Sequence, residues 1–357
     1  MTQPGMSQPI LITMGDPAGI GPEIIAKAYR DHAADLLGCL VVGDVATMRC
    51  AAATVAQPLA LPVALLDTLD RSHDVPPNCI PVLQKCELSK PVAIGLVNGL
   101  AGQAAADCIV WAARAVLNQQ AAAMVTAPIH KGALAAAGGW VAQFPGHTEM
   151  LQFEAAQFLG KSVQDLPVRM MLANDELKTV LVSIHLSLRQ AIEAVTFDGV
   201  LQTLRITHDA LLQSLGRAPR IGVAGLNPHA GEGGLFGTEE QTVITPAITA
   251  ALAEGIHVSG PFAPDTVFMR ARRTPTQPGE FDVVVAMYHD QGLIPVKYLG
   301  LEQGVNVTLG LPLVRTSPDH GTAFDIAGTG QADAVSLLAA IRMARKLADA
   351  KAGGVTS

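Results

Sequence analysis

The sequence predicts an α/β protein of two domains with mostly parallel sheets. Three observations lead there. At 357 residues the chain is about twice a typical domain of roughly 150 residues. Short apolar runs alternate with longer amphipathic segments along almost its whole length, the pattern of strands crossing over through helices. Each apolar run is bounded by turn residues.

In order, strands are expected at 9–14, 38–42, 61–66, 80–83 and 123–127, each a short apolar run. The second half repeats the arrangement with VRMMLA (168–173), TVLVSIH (179–185), RIGVAGL (220–226), DVVVAMY (282–288) and GVNVTLG (304–310). Helical periodicity is strongest at 97–118, 200–215, 239–253 and 332–350. No fixed repeat, charge block or low-complexity linker separates the halves. The boundaries are placed near Gly138 and Gly304, giving a first domain of 1–137 with 305–357 and a second of 138–304.

Composition removes several function classes. With 24 basic and 31 acidic residues the net charge is −7, so no global field attracts a nucleic-acid backbone. Aromatics are 4% of the chain, too few for a base-stacking platform. No uninterrupted apolar stretch of membrane-spanning length stands out. The opening MTQPGMSQPILITMGD lacks the basic and apolar regions of a secretory signal, so a cytoplasmic protein is expected. Five cysteines without a C-x-x-C pair argue against a disulfide framework or thiolate zinc site, and they read as packing residues.

The chemistry concentrates in a few constellations. In TMGDPAGIGPEII (13–25) a strand enters a glycine-rich turn, and Pro22 and Glu23 open a helix whose free N–H groups suit a phosphate or carboxylate. Its glycines match neither the G-x-G-x-x-G nor the G-x-x-x-x-G-K-[ST] fingerprint. Three histidines, His185, His229 and His289, each follow an expected strand. In open α/β sheets ligands gather beyond the carboxyl ends of strands, so these imidazoles can converge on a divalent metal, zinc first, cobalt or magnesium as alternatives. Asn227, Asp290 and Gln291 flank them as supporting partners.

FPGHTEML (144–151) sets His147 and Thr148 at a helix start, where Thr148 either caps the helix or faces a ligand. Lys297, Asn306 and Arg315 supply two cations and an amide for a carboxylate or phosphate. SPDHGTAFDIAGTGQAD (317–333) reads as a functional loop, and VTAPIHKG (125–132) as a site wall or a strand exit.

Together GDPAGIGPE, TAPIHKG, PGHTE, GLNPHAGEGG, PDTVF, AMYHDQG, GVNVTLGLP and RTSPDHGTAFDIAGTG resemble the 4-hydroxythreonine-4-phosphate dehydrogenase family, the PdxA family of vitamin B6 biosynthesis, over nearly the whole chain. The DHGTAFDIAGTGQAD segment also resembles the cofactor loop of isocitrate and isopropylmalate dehydrogenases. The resemblance implies their fold, with an active site in the interdomain cleft, and cofactor binding without the glycine fingerprint.

It makes His185, His229 and His289 the metal ligands and His147, Thr148, Lys297, Asn306 and Arg315 the substrate contacts. It places NAD or NADP at His320, Gly321, Thr322 and Asp325. It implies a homodimer with a shared active site, one subunit lending a metal-site histidine to the other.

The implied reaction oxidises the C3 hydroxyl of 4-phosphooxy-L-threonine, with hydride passing to nicotinamide. The resulting β-keto acid, 2-amino-3-oxo-4-phosphooxybutanoate, loses CO2 to give 3-amino-2-oxopropyl phosphate. The proton acceptor is open among a water on the metal, Lys297 and Asp265. Paralogues acting on D-threonate or D-erythronate 4-phosphate share the opening motif, which makes those sugar acids the alternative substrates.

Overall fold

A computed structural model describes residues 8–56, 58–70 and 75–353. The chain divides into two compact units, Met1–Leu166 with Leu311–Ala348, and Pro167–Gly310 with Asp349–Ser357. The first crossing thus falls after Leu166, downstream of the expected Gly138.

The cause lies on α3 (Gly99–Leu117), against which α4 (Lys131–Ala137) and α5 (His147–Leu159) stay packed. A Cβ on Gly99 or Gly102 would lie 2.4 and 2.1 Å from the carbonyl oxygens of Ala136 and Ala133, so the small residues let α4 approach α3 closely. Arg114 of α3 then donates twice to the buried Glu154 of α5, at 2.6 and 3.1 Å. The return falls after Gly310 rather than Gly304 because β11 (Val305–Leu309) pairs with β6 (Arg169–Ala173) in the second unit.

The first unit holds β1 (Ile10–Thr13), β2 (Cys39–Gly43), β3 (Val63–Leu66), β4 (Ile80–Gln84), β5 (Ala123–Thr126) and β12 (Arg315–Pro318), in spatial order β3-β4-β2-β1-β5-β12 and parallel throughout. β1, β2 and β5 are buried along their whole length, which explains why they read as continuous apolar runs without alternation. Helices α1 (Gly21–Asp31) and α2 (Val45–Thr54) follow β1 and β2, and α11 (Val335–Gly353) closes the chain.

α3 packs on β1, β2 and β5. Among the described residues it alone is long and apolar enough to cross a membrane, yet 67% of its apolar window is buried inside the protein, as in a core helix. All five cysteines are free; four are buried as expected of packing residues, but Cys50 is exposed.

The second unit holds β7 (Lys178–Leu181), β8 (Ile221–Ala224), β9 (Val258–Phe262) and β10 (Val283–Ala286) beside β11 and β6, in order β11-β6-β7-β10-β8-β9. The β11/β6 and β6/β7 pairs are antiparallel and the rest parallel. Its core gathers Leu172, Leu181, Phe281, Val284 and Val296.

Two strands escape the sequence pattern. β9 carries a Gly-Pro pair that reads as a turn and is tolerated because the strand lies at the sheet edge. β12 is Arg-Thr-Ser-Pro, polar in sequence but wholly buried, its Thr316 hydroxyl donating to the Ala340 carbonyl of α11.

Candidate active site

In the first unit the chain runs from β1 outward through β2, β3 and β4, then returns through α3 to β5 on the other side of β1. That reversal opens a crevice at the carboxyl edge between β1 and β5, where α/β sheets bind ligands. The turn after β1 enters it: Gly15 has φ +76°, and a Cβ there would lie 2.5 Å from the Pro128 carbonyl, so only glycine fits. Asp16 follows, its N–H donating to the same carbonyl at 2.9 Å and its Oδ1 accepting from the Ala18 N–H at 2.8 Å.

Burial pushes the Asp16 carboxyl above its ordinary value, opposed by that Ala18 bond. Its other oxygen, the Thr13 hydroxyl, His130 Nδ1 and His147 Nε2 are all buried without a hydrogen-bond partner among the described residues. Buried polar atoms are normally satisfied, so such a concentration at a strand edge marks a place built for a ligand.

Arg315 of β12 lies beside these groups, buried, with Nε and Nη2 3.0 and 2.7 Å from the Thr126 hydroxyl. Burial lowers its guanidinium to about 10, with Glu149 opposing, so it remains a cation at neutral pH. Burial first and Arg315 second push the His147 imidazole well below its ordinary value, keeping it neutral. His147 opens α5, where helix N–H groups add positive potential. The residue preceding the helix is Gly146, with no side-chain cap, so Thr148 is not the capping residue. A buried cation, a neutral imidazole and a helix start together suit an anion.

The loop after β12 closes on the same region. The Ile20 N–H donates to the Thr322 carbonyl at 3.0 Å, and Phe324 stacks on His130 with ring centres 4.7 Å apart. The buried Glu23 carboxylate of α1 accepts from the N–H groups of Gly328 and Ala332 at 3.0 and 3.1 Å, while Lys27 donates to the Gly330 and Ala332 carbonyls. Thr322 is buried, whereas Gly321 and Asp325 are exposed and His320 is half-buried. A cavity of about 400 Å³ lies alongside, bordered by Gly19, Glu23, Asp44, Lys90, Ile94 and Gly328.

In the second unit the three histidines follow adjacent parallel strands, β7, β10 and β8. Beyond β7, Val182 N–H donates to the Ala286 carbonyl at 2.9 Å and the Ser183 hydroxyl to that of Met287 at 3.1 Å, which carries His185 toward His289. Their ring centres are 5.9 Å apart. His289 begins α10 (His289–Tyr298), and its Nδ1 is 2.7 Å from the Asp290 carboxylate, so Nε2 is the nitrogen that could ligate a metal. A Cβ on Gly292 would lie 2.4 Å from Leu181, so α10 sits close against β7.

His229 differs. It starts a left-handed turn with φ/ψ of 52°/28°, continued by Ala230 (53°/43°), Gly231 (81°/−8°), Glu232 (43°/55°) and Gly233 (66°/20°). Left-handed backbone costs L-residues about 1–2 kcal/mol each, so His229, Ala230 and Glu232 are held there by their surroundings. The His229 ring lies 6.1 Å from that of Phe236. Among the described residues no group of three His, Cys, Asp or Glu gathers closely enough to hold a metal ion. The pair His185 and His289 fits divalent-metal ligation in donor type and in the carboxylate that orients the His289 ring; among the described residues His229 does not join it within one chain.

Of the remaining expected residues, Lys297 is half-buried in the last turn of α10 and Asn306 lies in β11 opposite Leu172. Asp265 is exposed between β9 and α9 (Val267–Ala271). The sequence motifs did not single out Asp16, although it stands in the first constellation.

A crevice with a buried cation at the switch point of the first unit, and strand-end imidazoles in the second, define an α/β protein suited to small anionic ligands. The model of the pyridoxal phosphate biosynthetic protein PdxA matches residues 35–344, and the chain belongs to this family. A 4-hydroxythreonine-4-phosphate dehydrogenase of Beijerinckia indica is 51% identical over 344 residues, covering 96% of each chain. A D-threonate 4-phosphate dehydrogenase of Pectobacterium atrosepticum is 42% identical over 348 residues, 96% of this chain and 100% of that one. The crystal structure of a 4-hydroxythreonine-4-phosphate dehydrogenase from Klebsiella pneumoniae superposes with a TM-score of 0.84 at 40% identity, covering 97% and 99% of the two chains.

Proposed function

We propose that the protein is a metal-dependent NAD(P) dehydrogenase that oxidises 4-phosphooxy-L-threonine to 2-amino-3-oxo-4-phosphooxybutanoate, which decarboxylates to 3-amino-2-oxopropyl phosphate on the way to pyridoxal 5'-phosphate. The observation that carries this reading is full-length similarity to relatives of that name, at up to 51% identity, together with the buried anion site. When bound, a divalent metal (zinc, cobalt or magnesium) supplies a Lewis acid and the nicotinamide the hydride acceptor.

This chain's residues supply the rest. Arg315 and neutral His147 bind the substrate's anionic groups, with Thr148, Asn306 and Lys297 fixing its orientation. Burial excludes water from Arg315 and strengthens its attraction for an anion. His185 and His289 of one chain would hold the metal with His229 of the second chain of a homodimer, a reading that accords with the absence of a three-residue cluster among the described residues of one chain. Lys297 takes the hydroxyl proton, with Asp265 the rival acceptor. NAD or NADP runs along His320, Gly321, Thr322 and Asp325, its adenosine part in the cavity beside Gly328.

Relatives named for D-threonate 4-phosphate, at 42% identity, favour a second reading with that substrate and the same chemistry. The test is formation of reduced nicotinamide with 4-phosphooxy-L-threonine, D-threonate 4-phosphate and D-erythronate 4-phosphate, with each cofactor and metal. The expected result is the highest kcat/KM for 4-phosphooxy-L-threonine. Turnover of these phosphates without reduced cofactor would remove the dehydrogenase reading.

A further inference from the structure

The left-handed turn that carries His229 is backed by a buried carboxylate. Glu240, 3% exposed, reaches back with Oε1 to accept the N–H groups of Leu226 and Asn227, both at 2.7 Å. Its Oε2 accepts the Asn227 side-chain amide at 3.0 Å, and the neighbouring Glu239 takes the same amide at 2.7 Å. The turn is moulded round this carboxylate: a Cβ on Gly231 would lie 2.7 Å from Glu240 Oε2, and one on Gly225 would lie 3.1 Å from Oε1. Glu240 opens a π-helical turn, Glu240–Ile244, a local irregularity that aims a side chain regular helix would place elsewhere. On the other side of Gly225, Gln291 donates to its carbonyl at 2.7 Å and accepts from the Met287 N–H at 2.7 Å, tying the same strand end to the one that delivers His289.

We propose that Glu240 is a positioning residue for metal binding: without touching the metal, it anchors Leu226 and Asn227 at the entry of the turn and so holds His229–Gly233 in the left-handed form that presents His229. This rests on the reading of His229 as a ligand. An L-residue turn in this conformation relaxes toward ordinary backbone once its support is removed, because Ala230 and Glu232 disfavour positive φ. The imidazole is then presented in only a fraction of molecules, and the apparent metal affinity falls by that fraction.

The test uses full-length protein with Zn2+ or Co2+ alone, comparing wild type, Glu240→Ala, Glu240→Gln and His229→Ala. Hydrogen exchange of the metal-free proteins is the readout independent of metal and turnover. In Glu240→Ala the amides of 225–236 should exchange at least about tenfold faster while β7 and β10 keep wild-type protection, and the metal Kd should rise about 10- to 100-fold. Glu240→Gln keeps the shape and one acceptor oxygen, so a smaller rise of about threefold or more is expected, and it decides the matter if the alanine variant does not fold. Adding Ala230→Gly to Glu240→Ala should recover part of the lost affinity, since glycine accepts positive φ freely, a rescue that a general packing role would not give.

Wild-type exchange in 225–236, or an unchanged metal Kd in the glutamate variants while His229→Ala loses metal, overturns the proposal and leaves His229 standing as a ligand. An unchanged Kd in His229→Ala removes the ligand reading first, and the positioning role falls with it.

Discussion

Both units place their reactive side chains beyond the carboxyl ends of parallel strands, but they treat them oppositely. In the first, Asp16, Thr13 and Arg315 are buried and crowd together inside one chain, with polar atoms left unmatched. In the second, His185 and His229 stand exposed, one near His289 and the other apart on a strained turn. Burial gives the first cluster a cation screened from water, which strengthens its attraction for an anion, while the exposed imidazoles of the second are open to solvent. On the proposed reading, the first would supply substrate affinity and the second metal capture.

The largest expected effect comes from the exposed cluster. His289→Ala and His185→Ala remove one of the two imidazoles that already meet, and kcat/KM should fall about 10³-fold or more, because a Lewis acid contributes several kcal/mol. A metal titration should recover little of this. Full activity in either variant would break the assignment of metal capture to the second unit.

Next in size, Arg315→Met removes the buried cation while keeping the bulk of the side chain. Two charge-assisted bonds to an anion are worth about 3 kcal/mol together, so kcat/KM should drop about 10²-fold. Metal affinity should remain at the wild-type value, which equilibrium dialysis measures. A parallel loss of metal would contradict the division of labour.

Smaller again, Asp290→Asn weakens the orientation of the His289 ring and should raise the metal Kd about tenfold with little change in KM.

These residues were not equally legible in the sequence. Strands β1, β2, β4, β5 and the first strands of the second unit announced themselves as buried apolar runs, and the three histidines stood out because each ends such a run. Arg315 was identified by charge and by resemblance, but the strand it belongs to was hidden, because Arg-Thr-Ser-Pro carries no apolar pattern and is buried through hydrogen bonds to α11 and β5. Asp16 looked like part of a turn; its significance is an unmatched oxygen, which only a folded neighbourhood creates. Glu240 was illegible for a related reason: its partners are the N–H groups of Leu226 and Asn227, and backbone N–H groups carry no sequence signature. The late crossing at Leu166 likewise depended on one ion pair and a close helix contact rather than on any break in composition.

The smallest predicted effect is in acid stability, and it separates the units by pH. His147 has its folded pKa pushed below the unfolded value, so the unfolded chain binds more protons once pH falls below about 6.5 and the His147 contribution to the first unit's stability is lost from that point downward, opposed in part by the raised carboxyl of Asp16. In the second unit Asp282 is buried, which alone would raise its carboxyl, but bonds from Arg217 at 2.8 Å and from Arg220 hold it well below the usual carboxylate range. A depressed carboxyl contributes stability above its unfolded pKa of about 3.9 and loses it only as pH falls further.

Between about pH 6.5 and 4, therefore, hydrogen exchange should speed up in β1 and β5 before β8 and β10, with a slope of at most about 1.4 kcal/mol per pH unit for one group. His147→Gln should flatten that slope in the first unit and leave the second unchanged. Asp282→Asn should do the reverse, lowering the protection of β8 and β10 at neutral pH by about 2 kcal/mol, since its arginine partners are half-exposed and water takes over part of the lost contact. Simultaneous loss of protection in both units across this range would mean that they open as one cooperative body, and the contrast between a buried and an exposed cluster would then have no counterpart in stability.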